Sequence, residues 1–226
     1  MEEGRTVAAA GDAAASRDGE VERRWLAMLQ QLTGGIAHEL RNALNGVAVN
    51  LEVVRSRSGR DGVPASALGS FAGSASGQLE QVITMTDALM ALARAGQEPA
   101  ALGRTADQVA ALVRPVLVAN GGSLELAVEG EGTTRVSATA TRLFVAAAMQ
   151  AALDAAREKG SAAKDDHAAL SCRVQAAGAP EHSVELRVEG NFARTPALEA
   201  GLAELARTYS VGVVPSDDSI TLTFPA

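Results

Sequence analysis

The sequence predicts an α + α/β chain in which a helical hairpin precedes a domain of mixed helices and strands. Apolar residues recur at alternating steps of three and four through the first hundred or so positions, which is the spacing of amphipathic helices. From Thr105 onward, short runs of alternating apolar and polar residues indicate strands between helices. The segment 96–104, GQEPAALGR, carries the Gly and Pro of a boundary between the two parts. At 226 residues the chain is long enough for two small domains.

The first helix is predicted over residues 20–57, about 55 Å at 1.5 Å per residue. At about 100° per residue, the centre of its apolar stripe lies near Ile36 and Leu40, and His38 points roughly 180° away. We therefore expect His38 in solvent. The stripe consists of Val21, Trp25, Leu29, Leu32, Ile36, Leu40, Leu44, Val47, Leu51 and Val54.

Two features precede the histidine. Residues 1–19, rich in Ala, Gly, Asp and Ser, are predicted to form a flexible tail. Gly34 and Gly35 lie inside the helix, where each costs about 1 kcal/mol relative to Ala. They provide either a pliable segment that lets a partner approach His38 or a local weakness that packing offsets.

A second helix is predicted over residues 67–95, after a connection at residues 56–66 that contains Gly, Pro and Asp. Two antiparallel helices with one apolar stripe each cannot enclose a core. Pairing two hairpins into a four-helix bundle would enclose one. The sequence therefore predicts a homodimer built on a hairpin domain at residues 20–97.

The second domain, residues 104–226, is predicted as a sheet covered on one face by helices. Its helices are expected at residues 106–119, 140–158 and 196–209. Its strands are expected at residues 124–129, 135–138, 169–175, 183–189, 211–214 and 219–224.

Composition excludes several classes of protein. Basic residues number 20 against 27 acidic ones and form no cluster, which argues against a nucleic-acid-binding surface. No apolar run approaches the 18 or so residues of a membrane span, and the acidic N-terminus lacks the apolar core of a signal peptide. The single Cys172, read as a buried strand residue, suits a reducing compartment. We therefore expect a cytoplasmic protein without a membrane sensor or a sizeable input domain.

The remaining histidines suggest no second site. His167 lies in a charged linker and His182 lies beside a predicted turn, and both are expected to be solvated. No His, Cys, Asp and Glu cluster has metal-ligand spacing, so no metal is predicted.

Residues 38–45, HELRNALN, resemble the H-box of sensor histidine kinases, whose usual form is H-E-L-R-N/T-P-L. The match departs only at Ala43, where the family has proline. Alanine keeps a backbone N–H and avoids the proline kink, so we expect a straighter helix below His38. On spacing alone His38 would be an ordinary solvated residue; the resemblance implies a phosphoacceptor.

The second domain is similar to the HATPase-type ATP-binding domain of the same kinases, down to the final TLTFPA. Its signature residues differ. Ala147 and Ala151 occupy the positions where the family has two asparagines that hold Mg²⁺ and phosphate. Moving the alignment by one residue brings only Gln150 to such a position. The strand that ends at Glu189 leads into Gly190-Asn191-Phe192-Ala193 in place of Asp-x-Gly-x-Gly.

The glycine-rich phosphate loop of the family is reduced to Gly201. Backbone N–H groups freed by glycines cradle phosphates, so their loss removes the physical basis for nucleotide binding. We expect a degenerate ATPase-like domain that binds no ATP and needs no cofactor of its own.

Together these resemblances imply a dimeric histidine phosphotransferase of a bacterial two-component phosphorelay. His38 would exchange phosphate with aspartates on response-regulator receiver domains, which would hold the Mg²⁺, and a hybrid histidine kinase is a candidate upstream partner. Glu39 would hydrogen-bond one imidazole nitrogen, and Asn42 would orient the attacking group. The receiver-docking residues would be Arg41, Asn45, Val49, Glu52, Leu68 and Phe71.

Alternatives remain open. Val49 is either part of that docking surface or an ordinary exposed aliphatic. The chain could be a receiver phosphatase that uses Asn42, or a non-catalytic adaptor whose histidine is never phosphorylated. A divergent active kinase is less favoured, because the nucleotide motifs are missing.

Overall fold

A computed structural model describes residues 2–60, 62–94, 96–130, 132–160, 169–177, 183–189, 196–216 and 218–226. Side chains are described from residue 18, except those of residues 155–177 and 196–201. The segments 161–168, 178–182 and 190–195 lie outside this description, and with them His167, His182 and the turn after Glu189.

The two predicted helices of the hairpin are present as α1 (Glu2–Ser58) and α2 (Ala65–Ala93). The predicted start of the first helix was wrong, because the backbone of residues 2–19, expected as a tail, is already helical. Alanine, glutamate and arginine favour helix, and the segment has no proline to stop it. At 1.5 Å per residue α1 spans about 85 Å and α2 about 43 Å, so α1 extends well beyond its partner.

The connection between the helices follows the predicted turn chemistry. Gly62 has a φ of +82°, a backbone conformation that favours glycine. Pro64 then occupies the N-cap of α2 in an extended conformation, and its fixed φ leads into the first turn.

The apolar stripe of α1 is buried unevenly. Val21, Trp25 and Ile36 are buried, whereas Leu44 and Leu51 remain 50% and 53% exposed. Residues 18–36 of α1, called its first half below, therefore belong to a core within the chain. Residues 40–58, called its second half, pack only partly, against α2.

The linker after α2 forms β1 (Pro99–Ala101), which was not predicted. It pairs antiparallel with β3 (Thr133–Ser137), a strand of the α/β part. Between them lie α3 (Leu102–Ala119) and β2 (Ser123–Glu129), close to their predicted positions. A three-residue edge strand has too short an apolar pattern to be read from sequence.

The main sheet has five strands in the order β2-β4-β5-β7-β6. β2 and β4 pair in parallel, and the other neighbours pair antiparallel. The remaining strands are β4 (Ala169–Ala177), β5 (Ser183–Glu189), β6 (Gly212–Pro215) and β7 (Ser219–Pro225), with α5 (Pro196–Tyr209) between β5 and β6.

One face of this sheet is buried. The cross-strand pair Leu186 and Leu222 lies at its centre, and both residues are fully buried. On the opposite face Glu185 and Arg187 are partly or fully exposed. This alternation is what a sheet covered by helices on one side requires, as the sequence predicted.

Helix α4 (Ala138–Gly160) is the centre of the molecule. It contacts α1, α3, α5 and strand β5. Every residue from 138 to 153 is buried except Arg142. A helix that is apolar on all sides belongs in an interior, and its many alanines let neighbouring elements lie close.

The hairpin and the α/β part share one continuous core. Trp25, Ile36 and Met85 of the hairpin belong to the same buried cluster as Leu112 and Phe144 of the α/β part. The predicted division into residues 1–19, 20–97 and 104–226 stays a prediction. No helix in the described part of the chain is long and apolar enough to cross a membrane.

Candidate functional site

His38 lies on α1 between residues 18–36 and 40–58. Its side chain is exposed, as its angle from the apolar stripe predicts. Within the described residues its imidazole has no hydrogen-bond partner. Helical side chains lean toward the N-terminus, so the imidazole leans toward the preceding turn. Gly35 in that turn lines a small cavity of about 110 Å³ together with Leu112 of α3 and Gln150 of α4. His38 therefore lies near the C-terminal edge of the region where α1 contacts the α/β part.

Glu39 and Asn42 contact each other. The Asn42 side-chain amide donates to the Glu39 carboxylate at 3.5 Å, which is a long and weak hydrogen bond. Glu39 is half-buried and Asn42 is exposed. The expected hydrogen bond, in which the Glu39 carboxylate accepts from the His38 imidazole, is not formed here and stays a prediction. Both groups nevertheless lie within one turn of the imidazole.

Below His38 the exposed face of α1 is mainly polar. Asn45 and Glu52 are exposed on it, and Glu52 pairs with Arg55 at 2.9 Å. Arg41 is exposed to one side. Val49 is 63% exposed among these residues and about 20° from the direction of His38. It is an isolated apolar side chain on the face that carries the histidine.

Two further predicted docking residues, Leu68 and Phe71, lie on α2 and are distant from His38 along the hairpin. Both are half-buried, and the Phe71 ring lies 4.8 Å beneath the Arg57 guanidinium in a cation–π contact. Arg57 is about 28 Å from His38 along the helix axis at 1.5 Å per residue. The predicted docking residues therefore extend along the hairpin from Arg41 to Phe71, and their role in docking stays a prediction.

A polar contact fixes α1 against α2 just below the H-box-like segment. The Asn50 amide donates to the Gly46 carbonyl oxygen at 2.9 Å and to the Gln78 side-chain oxygen at 3.2 Å. A Cβ on Gly46 would collide with the Gln78 side chain. Glycine at this position lets the two helices approach closely enough for the contact to form.

Sequence reasoning missed a cleft of about 470 Å³ beside Glu39. Its size is in the range of ligand-binding clefts. Three helices form it, so no local pattern could have revealed it. Arg114 in its wall donates through Nε to the Leu124 carbonyl oxygen at 3.1 Å. The lining residues are Glu39, Gln81, Thr84, Met85, Ala111, Arg114, Pro115, Val118 and Ala119.

The residues that replace the nucleotide ligands of the kinase family, according to the resemblance, are buried in the core. Ala147 and Ala151 are 3% and 6% exposed, inside the core around α4. Gln150 is buried and donates to the Asp154 carboxylate at 2.8 Å. Gly201 lies within α5, and Cys172 lies in β4, but their surroundings are outside the described side chains. No group of three potential metal ligands occurs among the described residues.

Comparisons with known proteins give structural neighbours only. No family model matches the sequence, and no curated protein is similar to it. Among solved structures, the blue-light activated histidine kinase EL346 of Erythrobacter litoralis is similar over 86% of this chain, with 14% identity and a TM-score of 0.38. This chain covers 59% of that protein's length.

Two further structures give a similar result. The isolated histidine kinase domain of EL346 is 13% identical over 87% of this chain and 94% of its own, with a TM-score of 0.38. The histidine kinase AdeS of Acinetobacter baumannii is 14% identical over 83% of this chain and 97% of its own, also with a TM-score of 0.38. At these values the likeness by itself shows neither the family nor an activity.

Proposed function

We propose that this protein is a histidine phosphotransferase in a two-component phosphorelay, and that it takes phosphate from receiver domains rather than from ATP. One observation carries the proposal. His38 is exposed within an H-box-like segment, while Ala147 and Ala151, which the resemblance aligns with the asparagines of a nucleotide site, are buried. The proposed acceptor is thus open to a partner, and the two alanines are enclosed by the core.

The chemistry is an exchange between an acyl phosphate and a phosphoramidate. The unprotonated nitrogen of the His38 imidazole attacks the phosphorus of a receiver aspartyl phosphate. The new P–N bond forms as the P–O bond to the carboxylate breaks, and the carboxylate leaves as an anion. Mg²⁺ on the receiver would offset the charge on the phosphoryl oxygens. The two bonds have comparable transfer potential, so the reaction runs in either direction.

Glu39 and Asn42 are the proposed assisting groups. Glu39 would accept a hydrogen bond from the imidazole N–H that does not attack, which holds the other nitrogen as the nucleophile. Its contact with Asn42 in the free protein is long, so exchanging that contact for His38 costs little. Asn42 is then released to orient the phosphoryl group.

We also propose that two copies of the chain pair through their hairpins. On α1, Leu26 and Leu44 are five turns apart and point the same way, and Leu51 lies within about 20° of them. His38 is about 120° from this direction, so pairing leaves it open. The proposed pairing surface, the dimer stripe, consists of exposed apolar residues of both helices: Leu26, Leu44 and Leu51 on α1 with Leu79, Ile83 and Met90 on α2.

Asn42 supports a second candidate activity. Its amide is exposed about one turn below His38 on the same face, where it could direct a water at a receiver's aspartyl phosphate. A phosphatase of this kind would not need the imidazole. An adaptor would need neither residue, and an autokinase would need ATP.

One experiment separates these functions. Wild type, His38→Ala and Asn42→Ala are each incubated with a phosphorylated receiver domain, and wild type also with ATP alone, while acid-labile phosphate on the protein is followed. A phosphotransferase labels only where His38 is present and only from the receiver. Receiver dephosphorylation that survives His38→Ala but is lost in Asn42→Ala supports the phosphatase. Label from ATP would reveal an autokinase.

A further inference from the structure

A set of hydrogen bonds ties the linker after α2 to the start of α4. The Thr139 hydroxyl donates to the Gly96 carbonyl oxygen at 3.0 Å and accepts from the Gly96 N–H at 3.2 Å. The Thr139 N–H donates to the same carbonyl at 3.1 Å, and the Ala138 N–H donates to the Glu98 carbonyl at 2.9 Å. We call the group Arg94, Gly96, Glu98, Ala138, Thr139 and Arg142 the linker clamp.

The clamp is tightly packed. Thr139 is 1% exposed and Gly96 is also buried. A Cβ on Gly96 would lie 2.8 Å from a Glu98 carboxylate oxygen and 3.1 Å from the Ala138 Cβ. The position therefore accepts glycine readily and a larger residue only if its neighbours move. Loss of the Thr139 hydroxyl would leave the buried Gly96 N–H without its acceptor, while the Gly96 carbonyl oxygen would keep the Thr139 N–H as donor.

The end of α2 is held from two sides. The Arg142 guanidinium donates to the carbonyl oxygen of Arg94, the C-cap residue of α2. Burial desolvates this guanidinium and lowers the pKa of Arg142, although the charge of Glu98 acts in the opposite direction. From the other side, the buried Trp25 of α1 donates through Nε1 to the Leu92 carbonyl oxygen at 3.2 Å. Orphan carbonyls at a helix C-terminus need such donors.

These contacts join α1, α2 and α4, and the same three helices lie close to the candidate site. The clamp begins α4, and α4 packs on α1 next to Gly35, one turn above His38. Helix α3 lies against both α1 and α2 and forms the cleft beside Glu39. The orientation of the α/β part thus determines what lies next to Gly35 and Glu39, the residues that flank His38 on α1.

We propose that the linker clamp holds the α/β part in one fixed orientation on the histidine hairpin, and that Thr139 is a positioning residue for phosphotransfer. With the clamp closed, α3 remains beside Glu39, and a receiver meets His38 without any movement of the α/β part. An autokinase needs the opposite property, because its nucleotide has to be carried to the histidine. The statement about transfer rests on the proposed phosphotransferase function, whereas the statement about the fixed orientation does not.

The closed clamp is tested by hydrogen exchange in the full chain. Thr139→Val keeps the volume but removes the hydroxyl, and Thr139→Ser keeps the hydroxyl. We expect amide exchange at residues 96–98 and 138–139 to be about tenfold faster in Thr139→Val and unchanged in Thr139→Ser. Gly96→Ala is a second route to the same opening. Exchange at wild-type rates in both Thr139→Val and Gly96→Ala would overturn the clamp.

The positioning role is tested by the kinetics of transfer from a phosphorylated receiver. In Thr139→Val we expect the half-saturating receiver concentration to rise about tenfold, while the maximal rate falls less than twofold. Thr139→Ser should restore both values. Leu186→Val, a core change in β5 remote from the clamp, controls for lost stability and should transfer like wild type.

The outcomes of the two tests are distinct. Faster linker exchange with unchanged transfer would overturn the positioning role and leave the clamp supported. If wild type accepts no phosphate from any receiver, the proposed function and the positioning role fail together. Hydrogen exchange still decides the clamp in that case. A global loss of protection in Thr139→Val shifts the decision on the clamp to Gly96→Ala.

Discussion

The two halves of α1 carry the same apolar repeat but have different surroundings. In the first half, residues 18–36, Trp25 and Ile36 are buried in the core that the hairpin shares with the α/β part. In the second half, residues 40–58, Leu44 and Leu51 keep about half of their surface exposed. The spacing of apolar residues shows which face of a helix has to be buried. It does not show whether the same chain or a second copy buries that face. His38 lies between the buried and the partly exposed segments of α1.

The largest effect is expected in the first half. Trp25→Ala removes a buried aromatic side chain and its hydrogen bond to Leu92, and should lower the free energy of unfolding by about 3–5 kcal/mol. Chemical denaturation measures this change. Trp25→Phe is the matched control, since it loses the hydrogen bond and keeps most of the packing. A loss under about 1 kcal/mol in Trp25→Ala would contradict a shared core.

The exposed apolar residues of the hairpin, on the second half of α1 and on α2, should instead affect association. Ile83→Asp places a charge in the dimer stripe, where Ile83 is exposed in the single chain. We expect the dimer to dissociate while the monomer stays folded, because burying an unpaired charge at the interface is costly. Sedimentation with circular dichroism measures both properties. Ser74→Asp, at an exposed position about 180° from Ile83 around α2, adds the same charge off the stripe and should leave pairing unchanged. A wild type that is monomeric at high concentration would refute the pairing.

A pair of glycines compares the two halves directly. Gly34 has open space around its Cβ direction, so Gly34→Ala should stabilise the protein by about 1 kcal/mol through helix propensity. Gly46→Ala gains the same propensity but displaces Gln78 from Asn50, and should be neutral or destabilising by about 1 kcal/mol. Thermal unfolding ranks the two variants. Equal stabilisation by both would show that the Gly46 contact contributes nothing.

Gly34→Ala also decides between the two interpretations of the glycine pair. If a pliable segment before His38 serves transfer, the more stable variant should transfer phosphate more slowly. Unchanged transfer would mean that Gly34 is only a local weakness that packing offsets.

The smallest effect on stability is expected at Val49. It is 63% exposed, so Val49→Asp should change the free energy of unfolding by less than about 0.5 kcal/mol. If Val49 contacts receivers, the half-saturating receiver concentration in the transfer assay should rise severalfold. Ala48→Asp, on the adjacent exposed position, controls for added charge. Unchanged transfer in both variants would make Val49 an ordinary exposed aliphatic residue.

The regular elements could be predicted because their signals are local. The alternation in β5 and β7 and the spacing in α2 and α3 place these elements within a few residues of their observed bounds. The start of α1 was missed because composition suggested a tail where helix propensity prevails. The strand β1 was missed because three residues hold no readable period.

The site was predictable only along one helix. The exposure of His38, Asn42, Asn45 and Val49 follows from their angles on α1. The separation of Phe71 from this group depends on how the hairpin pairs, and the cleft beside Glu39 depends on three helices meeting. The clamp at Thr139 and Gly96 joins residues that are distant in sequence, so no motif marks it.

The central claim is that phosphate reaches His38 from a receiver domain. The most direct measurement is to map the phosphoryl group by mass spectrometry at alkaline pH, after wild-type protein is mixed with a phosphorylated receiver or with ATP. The account predicts phosphate on the peptide that contains His38 after incubation with the receiver and none after incubation with ATP. Phosphate that stays absent from His38 with every receiver, or arrives there from ATP alone, would contradict it.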